Sequence, residues 1–316
     1  MTAAIGGARS QGMKSLAAAL FLMAAPAAAD PAAVEQAFSD WVAANQAEPA
    51  TLAVLDDGAV VRQAGLGADA AAPRPLASLS KPITAACVSA LVEEGTLAWT
   101  DTAGDWLGQR GPGSAARLAD LVTHGSGIGP DETQGDAALA AAQEPQTAGV
   151  AARALSRPLA AEPGTYAYNN ENYAILGAVI EAATGEAYDE ACRTRVLDPA
   201  GVTGRIGGRW AAHGPWGGWE MSAPDYARLI RWIADRPAMD APALAMGGGV
   251  LSTQGLLRRE SGIAWGFGLL CWNGRANGAY AVAHPDGPAI AVTFTGCPDD
   301  AALQSLDAAL FEAATK

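Results

Sequence analysis

Lysine is almost absent from this chain of 316 residues, occurring only at positions 14, 81 and 316. The other basic residues are arginines, and acidic residues outnumber basic ones by 33 to 20. No cluster of basic residues offsets this negative balance. Binding to nucleic acid or to an anionic membrane surface depends on such clusters, because they displace counterions from phosphates. The composition therefore argues against nucleic acid as a partner.

Cysteine is also scarce, with four widely spaced residues: Cys87, Cys192, Cys271 and Cys297. They are too few for the dense framework of a small disulfide-stabilised protein, and their spacing matches no zinc site. Cys87 and Cys192 lie in segments of helical pattern, where a cysteine behaves as a small buried apolar residue. A disulfide between Cys271 and Cys297 is compatible with the sequence but is not required by it.

Histidine occurs only at positions 124, 213 and 284, without the paired spacing that is typical of metal ligands. We therefore expect a protein that needs neither a metal nor an organic cofactor. The Gly-x-Ser-x-Gly motif that marks the nucleophile of α/β-hydrolases is missing as well. We expect His124 to order a loop rather than to act as a base.

Long apolar runs are missing beyond the N-terminus, so we expect no membrane span in the mature chain. The first 29 residues have the parts of a secretory signal peptide: basic Arg9 and Lys14, an apolar run, and a small-residue cleavage site. Cleavage after Ala29 predicts a periplasmic or secreted protein, with Met13 as an alternative start. The remaining 287 residues include 18 basic and 33 acidic residues, a net formal charge of −15.

The apolar periodicity that is present predicts strands and helices at both ends of the mature chain. Helices are expected to begin at Asp30, at Ser78 and near Asp299, and a hairpin is expected around the Asp57-Gly58 turn. Three late strands are expected at 266–272, 279–283 and 289–295. The simplest packing is an α/β (α+β) fold with one antiparallel sheet built from both chain ends and flanked by helices.

The remaining segments are mostly helical and are expected to form an inserted domain. The predicted organisation therefore has three parts. Residues 1–29 are the signal peptide, residues 30–76 and 259–316 form the sheet domain, and residues 77–258 form the helical domain. The helical domain would carry the residues with the clearest chemistry.

Ser78 and Lys81 are three residues apart at the start of a predicted helix and so lie on one face of it. Peptide N–H groups at a helix start favour negative charge on the serine oxygen. A lysine removed from water can become a neutral amine and accept the serine proton, which an arginine cannot do. Between its termini the mature chain has no other lysine. We therefore predict a serine nucleophile, Ser78, activated by Lys81.

The segments around this pair resemble, in order, those of the class C β-lactamases and D-alanyl-D-alanine peptidases. The nucleophile segment of that superfamily is similar to Ala77-Ser78-Leu79-Ser80-Lys81-Pro82. Its Thr-His-x-Ser-Gly loop is similar to Thr123-His124-Gly125-Ser126-Gly127, and its Tyr-x-Asn segment to Tyr168-Asn169-Asn170. Further segments resemble 197–201 and 221–225. The resemblance covers nearly all of the mature chain.

This resemblance implies a β-lactamase/transpeptidase-like fold and a covalent acyl-enzyme. Ser78 would be the nucleophile and Lys81 its partner. Tyr168 would act as a phenolate-type base and then as the acid for the leaving group. Asn170 would hydrogen-bond the lysine or the substrate amide. The backbone N–H of Ser78 would supply half of the oxyanion hole.

The family's third motif, Lys-Thr-Gly or His-x-Gly on an inner strand, is where this sequence departs from the pattern. No lysine is left for it, and His284 is followed by one strand where the family has two. Counting strands back from the end places the motif at Trp272-Asn273-Gly274, with Arg275 supplying the second oxyanion N–H. The His284 region is the alternative. A Trp-x-Gly version is similar to the esterases called family VIII carboxylesterases.

These features predict an exported serine hydrolase whose partner is a small-molecule or peptide-like acyl substrate. Small neutral esters or amides are the preferred substrates, because Trp272 offers no charge to a substrate carboxylate. A β-lactamase or D-Ala-D-Ala carboxypeptidase is the alternative within the enzymes. A catalytically degenerate penicillin-binding sensor is the alternative of another class. The sequence pattern specifies no oligomeric state.

Overall fold

The computed structural model describes residues 30–236, 241–272 and 274–315. The predicted signal peptide, residues 1–29, lies outside the described residues. None of the helices in the described part of the chain is long and apolar enough to cross a membrane.

Most of the strands belong to one large antiparallel sheet. The strands are β1 (Ala50–Asp56), β2 (Ala59–Leu66), β3 (Arg74–Pro75), β4 (Arg205–Ile206), β5 (Trp219–Met221), β6 (Ala243–Gly247), β7 (Val250–Thr253), β8 (Leu256–Arg259), β9 (Ala264–Trp272), β10 (Arg275–Ala283) and β11 (Ala289–Phe294). Eight form the sheet in the order β2-β1-β11-β10-β9-β8-β7-β6, and the others pair in the order β3-β5-β4. The two chain ends meet where β1 pairs with β11, with Ala53 opposite Ala291.

The helices lie before, between and after these strands. They are α1 (Pro31–Asn45), α2 (Lys81–Glu93), α3 (Ala103–Leu107), α4 (Leu118–Val122), α5 (Ala137–Ala141), α6 (Thr147–Ser156), α7 (Asn170–Thr184), α8 (Tyr188–Cys192), α9 (Asp198–Ala200), α10 (Gly214–Gly217), α11 (Ala223–Ala234) and α12 (Asp300–Thr315). Asp30 caps α1 by accepting from the Ala32 N–H, and Ser222 caps α11 by accepting from the Asp225 N–H. The three predicted helix starts are thus close to those of α1, α2 and α12.

The architecture confirms the predicted α/β (α+β) fold with a sheet built from both chain ends. The sheet is wider than expected, because β6, β7 and β8 extend it beyond β9. These three strands fall almost entirely within 77–258, the segment predicted to be the helical domain. They are short, and the turn between β6 and β7 contains the run Gly247-Gly248-Gly249. Glycine gives no strand signal, which explains why periodicity missed them.

The two faces of the sheet carry side chains of different size. On β10 and β11, the small residues Ala281 and Ala291 belong to the core that the sheet shares with the inserted helices. The alternate residues Val282 and Val292 belong to a second core, shared with α1 and α12. Successive side chains of a strand point to opposite faces, so this alternation assigns each face its own helical layer. The alanine face lets α11 pack close to β1 and β11.

The cysteines divide into one bonded pair and two buried thiols. Cys271, near the end of β9, forms a disulfide with Cys297, which precedes α12. The pairing that the sequence left open is therefore present. Cys87 and Cys192 are free and buried, as expected for small apolar residues.

Candidate active site

Ser78 lies in a single 3-10 turn, Ala77–Ser80, that leads directly into α2. Ala77 has a φ of +50°, a left-handed conformation that turns the chain sharply before the serine. Pro82 lies in the first turn of α2, where its missing N–H leaves no hydrogen bond unmade. Ser78 is therefore held, half-buried, at the start of a stiff helix.

Lys81 is buried directly behind Ser78, with 1% of its surface exposed. Its Nζ lies 3.1 Å from Ser78 Oγ, 2.7 Å from Asn170 Oδ1 and 3.1 Å from the Trp216 carbonyl oxygen. Burial lowers the pKa of Lys81 to about 7, and the negative charge of Asp131 opposes this effect. A neutral amine has two hydrogens and one lone pair. If Asn170 and Trp216 accept the hydrogens, the lone pair faces Ser78.

Tyr168 lies beside both Ser78 and Lys81, with the Lys81 Nζ 4.9 Å from the centroid of its ring. Its hydroxyl lies 2.7 Å from Ser78 Oγ and 3.5 Å from Asn170 Oδ1. The residue is 46% exposed, but its hydroxyl faces inward, and burial raises its pKa even though the hydrogen bond to Ser78 lowers it. A phenolate is therefore disfavoured, in contrast to the phenolate-type base expected from the resemblance. Both groups contact Ser78 Oγ, and the lowered pKa of Lys81 and raised pKa of Tyr168 favour the lysine as the base and the tyrosine as a proton donor.

Asn170 is the first residue of α7, and the preceding Asn169 caps this helix by accepting from the Glu171 N–H. The cap holds Asn170 in a fixed orientation, 4% exposed, between α2 and the loop before α5. Its Oδ1 accepts from Lys81, and its Nδ2 donates to Thr133 Oγ1 at 3.0 Å. Of the two partners expected for Asn170, the structure shows the lysine.

His124 packs against Tyr168 and hydrogen-bonds the residue that caps α7. Its Nδ1 accepts from the Asn169 N–H at 3.3 Å, and its ring centroid lies 4.6 Å from that of Tyr168. Burial, reinforced by the charge of Lys81, lowers the pKa of His124 to about 3. The imidazole is therefore neutral and acts as a packing surface. These contacts agree with the expectation that His124 orders a loop.

β9 is the strand that lies against the nucleophile. A Cβ atom placed on Gly268 would lie 2.8 Å from the Ser78 nitrogen and 2.3 Å from the Leu76 carbonyl oxygen. Gly266, two residues earlier, would contact the Leu79 side chain in the same way. Only glycine fits this close an approach of one backbone to another. The position next to the serine thus belongs to Gly266-Phe267-Gly268.

The third motif was predicted at a different place on the same hairpin. Trp272 ends β9, Gly274 lies in the following turn, Arg275 begins β10, and Asn273 lies outside the described residues. The Trp272 indole packs near Gly135 rather than beside the serine. The alternative, His284, lies in the turn after β10. Counting strands thus placed the motif on the hairpin that contacts Ser78. The predicted residues, 272–274, lie four to six positions after Gly268, where the contact is made.

Hydrogen bonding along β9 leaves peptide groups free at the cleft. The Arg259 N–H donates to the Ile263 carbonyl, and β8 pairs with β9 only at residues 264 and 265. Backbone groups alternate in direction along a strand, so the peptide groups of Phe267 and Leu269 face the side that β8 leaves open. Leu269 directly follows Gly268. Its N–H is the candidate to complete an oxyanion hole with the N–H of Ser78.

These residues surround a cavity of about 360 Å³. One part of its wall is polar and includes Ser78, Lys81 and Tyr168. β8 and β9 contribute apolar residues to the rest of it: Leu256 and Leu270, and also Leu257, Phe267 and Leu269, which pack against the core shared with α1 and α12. Lys81 is the one lysine or arginine among the described residues that line the cavity, and Asp300 lies among them with a carboxylate. The cavity therefore combines a nucleophile with a wall that has apolar residues and no cation other than Lys81.

Sequence reasoning missed three contributors to this site. The Trp216 backbone carbonyl accepts from Lys81, Thr133 binds Asn170, and Asp131 accepts from the Asn170 N–H. A backbone carbonyl has no sequence signature, because every residue has one. Asp and Thr in a loop most often serve turns, so their pattern alone gave no signal.

The sequence matches the family model described as "Beta-lactamase" over residues 34–314. A curated relative, "Penicillin-binding protein 4*" of Bacillus subtilis (strain 168), is 31% identical over 132 residues. This match covers 40% of the chain and 29% of the relative. The chain spans about three tenths of the length of the curated relatives that it matches.

Solved structures have a similar fold. A D-stereospecific amidohydrolase from a Streptomyces species has a TM-score of 0.74 at 20% identity, covering 89% of this chain and 98% of that one. The D-amino acid amidase from Ochrobactrum anthropi SV3 has a TM-score of 0.72 at 17% identity, covering 89% and 97%. At these identities the likeness shows the fold alone. The match to the family model over residues 34–314 shows that this chain belongs to the beta-lactamase family.

Proposed function

We propose that this chain is a serine hydrolase that forms an acyl-enzyme on Ser78 and prefers small neutral esters or amides. The observation that carries the proposal is the buried Lys81 amine, which lies 3.1 Å from Ser78 Oγ and has a pKa lowered to about 7. Such an amine is partly neutral at neutral pH and can take the serine proton. Arginine could not replace it.

Acylation would begin when Lys81 accepts the proton of Ser78 and Oγ attacks the acyl carbon of the substrate. The bond from Oγ to that carbon forms, and the bond from the carbon to the leaving oxygen or nitrogen breaks. Tyr168 donates its proton to the leaving group and regains one from the Lys81 ammonium, which returns to the neutral form. Water, activated by the same groups, then releases the acid and restores Ser78.

Charge that develops on the substrate oxygen during these steps needs hydrogen-bond donors. The N–H of Ser78 and the N–H of Leu269 are the two donors that we assign to it. Gly268 lets β9 lie against the 3-10 turn that carries Ser78, because any side chain at this position would push β9 away from Ser78. Removing one such donor typically costs 10²- to 10³-fold in kcat, so this contact is a large part of the expected rate.

The preference for neutral substrates rests on the wall of the cavity. Apart from Lys81, which is committed to Ser78, the described lining residues offer no cation to a substrate carboxylate. Losing a charge-assisted hydrogen bond costs on the order of 1.5–3 kcal/mol, or roughly ten- to over a hundredfold in affinity. The net negative charge of the chain also disfavours an anionic ligand at long range. The leucine-rich wall suits an uncharged acyl or alkoxy group instead.

A β-lactamase or D-alanyl peptidase activity is the second candidate. It is favoured by the relative named as a penicillin-binding protein, whereas the amidohydrolase and amidase neighbours favour an amide substrate. Both candidates would use the same acyl-enzyme on Ser78. They differ in whether the substrate carries a carboxylate next to the scissile bond. A penicillin-binding sensor of low turnover would acylate but release the acid slowly.

A panel of three substrates tests the proposal: a neutral p-nitrophenyl ester, a cephalosporin and a D-Ala-D-Ala peptide. We expect the highest kcat/KM for the ester. Faster turnover of the cephalosporin or of the D-Ala-D-Ala peptide than of the ester would contradict the esterase preference and leave the acyl-enzyme mechanism in place. A single burst of product without further turnover would instead support the sensor.

A further inference from the structure

A chain of hydrogen bonds leads from Asp131 to Lys81. Asp131 Oδ1 accepts from the Thr133 hydroxyl at 2.7 Å and from the Thr133 N–H at 2.9 Å. Asp131 Oδ2 accepts from the backbone N–H of Asn170 at 3.0 Å. Thr133 and Asn170 are 8% and 4% exposed, so bulk water has little access to the links between them. The chain ends where Asn170 Oδ1 accepts from Lys81.

Each link in this chain has a fixed direction. A carboxylate can only accept, so the Thr133 hydroxyl must give its proton to Asp131. Thr133 Oγ1 is then an acceptor for its other neighbour, and Asn170 must present Nδ2 to it. The amide of Asn170 is thereby oriented with Oδ1 toward Lys81. A flipped amide would place two donors against the amine and leave an oxygen facing Thr133 Oγ1, which has no proton to spare.

The same carboxylate is the counter-charge of the lysine. Four other titratable side chains face Lys81: His124, His213, Tyr168 and Tyr173. Burial lowers the pKa of both imidazoles and raises the pKa of both phenols, so all four are neutral near pH 7. Asp131 is the charged group that favours the ammonium form of Lys81.

We propose that Asp131, through Thr133, is a positioning residue that orients the Asn170 amide toward Lys81 and sets the pH at which the lysine becomes a base. This inference rests on the proposed function, because it assigns the acid limb of the pH profile to Lys81. It adds to that function a residue pair in the loop between α4 and α5. Neither residue touches the reacting atoms: the hydrogen bonds act through Asn170, and the charge of Asp131 acts on Lys81 through space.

The pH dependence of kcat/KM tests whether the charge of Asp131 sets the pH at which Lys81 becomes a base. Activity should rise as pH increases through the pKa of Lys81, near 7. Asp131→Asn removes the charge that favours the ammonium, so the acid limb should move to lower pH, by about half a unit to one unit. Glu132→Gln is the matched control, since it removes a carboxylate one residue away that is paired with Arg157. Its acid limb should stay in place.

Two substitutions at Thr133 test whether its hydroxyl orients the Asn170 amide. Thr133→Val keeps the shape but removes the hydroxyl, and we expect kcat at pH 8.5 to fall at least about tenfold with little change in KM. Thr133→Ser keeps the hydroxyl and should restore most of the rate. Equal losses in both variants, or an unmoved acid limb in Asp131→Asn, would overturn the inference. Failure of a fluorophosphonate to label the wild-type protein would instead contradict the proposed function itself.

Discussion

When its amine is neutral, Lys81 has two hydrogens to donate, and two fixed acceptors receive them: Asn170 Oδ1 and the Trp216 carbonyl. An ammonium has a third hydrogen, and its remaining neighbour is Ser78 Oγ. Protonation would thus make the serine oxygen an acceptor and block its activation. The reactivity of Ser78 therefore depends on which form of Lys81 burial favours at the working pH.

Replacing Lys81 by arginine would keep a positive charge but remove the ability to lose it. We expect Lys81→Arg to lower kcat by about 10²- to 10⁴-fold, the usual contribution of a general base. Steady-state kinetics on a p-nitrophenyl ester at pH 8 measure the effect. Ser80→Ala, a change in the same turn that leaves Lys81 in place, should retain most of the activity. Close to full activity in the Lys81→Arg enzyme would show that the lysine acts only as a charge.

Some of the site could be predicted residue by residue, and some could not. Ser78 and Lys81 stood out because a serine lies one turn before the only internal lysine of the predicted mature chain, whose other internal basic residues are arginines. Tyr168 followed from the resemblance, but its hydroxyl lies in a buried position whose effect on the pKa no motif expresses. Asp131 and Thr133 reach Asn170 across more than 35 residues of sequence. Such contacts depend on the packed fold and leave no local pattern.

Among the elements, β9 matters most for the chemistry, and Gly268 is its point of contact with Ser78. Gly268→Ala would place a Cβ against the Leu76 carbonyl and the Ser78 nitrogen, so the strand must move away. We expect acylation to slow by on the order of ten- to a hundredfold, because the oxyanion donors separate. The burst rate with a p-nitrophenyl ester measures it.

Gly149→Ala is the control for this change. Gly149 lies within α6, where an added Cβ meets only the flexible end of Arg153 at 3.7 Å. Alanine favours a helix interior over glycine by roughly 0.5–1 kcal/mol, so this variant should be slightly more stable and fully active. An unchanged burst rate in Gly268→Ala would show that β9 does not shape the oxyanion hole.

The third motif shows why element-level prediction succeeded only in part. The Asp57-Gly58 hairpin and the three late strands have alternating or continuous apolar patterns, and all were found. The residue of β9 that meets Ser78 depends on how the strand slides over the 3-10 turn, which is a tertiary property. The third motif was predicted at Trp272 because a Trp-x-Gly pattern resembles that of the family VIII carboxylesterases. Gly266 and Gly268 gave no such signal, because glycine inside a strand indicates only a weaker strand.

The disulfide fixes the end of β9 to the segment before α12. Cys271 and Cys297 are 26 residues apart, and closing a loop of this length stabilises the folded chain by about 3.5 kcal/mol in the chain-entropy description. We expect a reductant to lower the urea midpoint of the oxidised wild-type protein. The Cys271→Ser/Cys297→Ser double variant is the control, because a reductant should leave its midpoint unchanged. A wild-type midpoint insensitive to reductant would contradict this role.

For the molecule as a whole, periodicity predicted the fold class because both chain ends supply strands to one sheet. It could not predict how far the sheet extends, since β6 to β8 are short and rich in glycine near their turn. The two-face pattern of small and large residues is visible in the sequence of β10 and β11. Assigning each face to its helices required the structure.

Export is a prediction about the whole molecule. Protein recovered from the periplasm of a Gram-negative host should begin at Asp30, because the small residues ending at Ala29 match the pattern of a signal-peptidase site. N-terminal sequencing measures this directly. A variant that starts at Asp30 after an initiator methionine should stay in the cytoplasm. Periplasmic protein that still carries residues 14–29 would contradict the predicted cleavage.

Intact-mass measurement after incubation with a fluorophosphonate tests the central claim most directly. The nucleophile we assign predicts that the wild-type protein gains the mass of one phosphonyl group and that Ser78→Ala gains none. Ser80→Ala and Ser126→Ala should still be labelled, since neither removes the nucleophile. Labelling of Ser78→Ala to the same extent as the wild type would contradict the assignment of Ser78 and, with it, the acyl-enzyme mechanism.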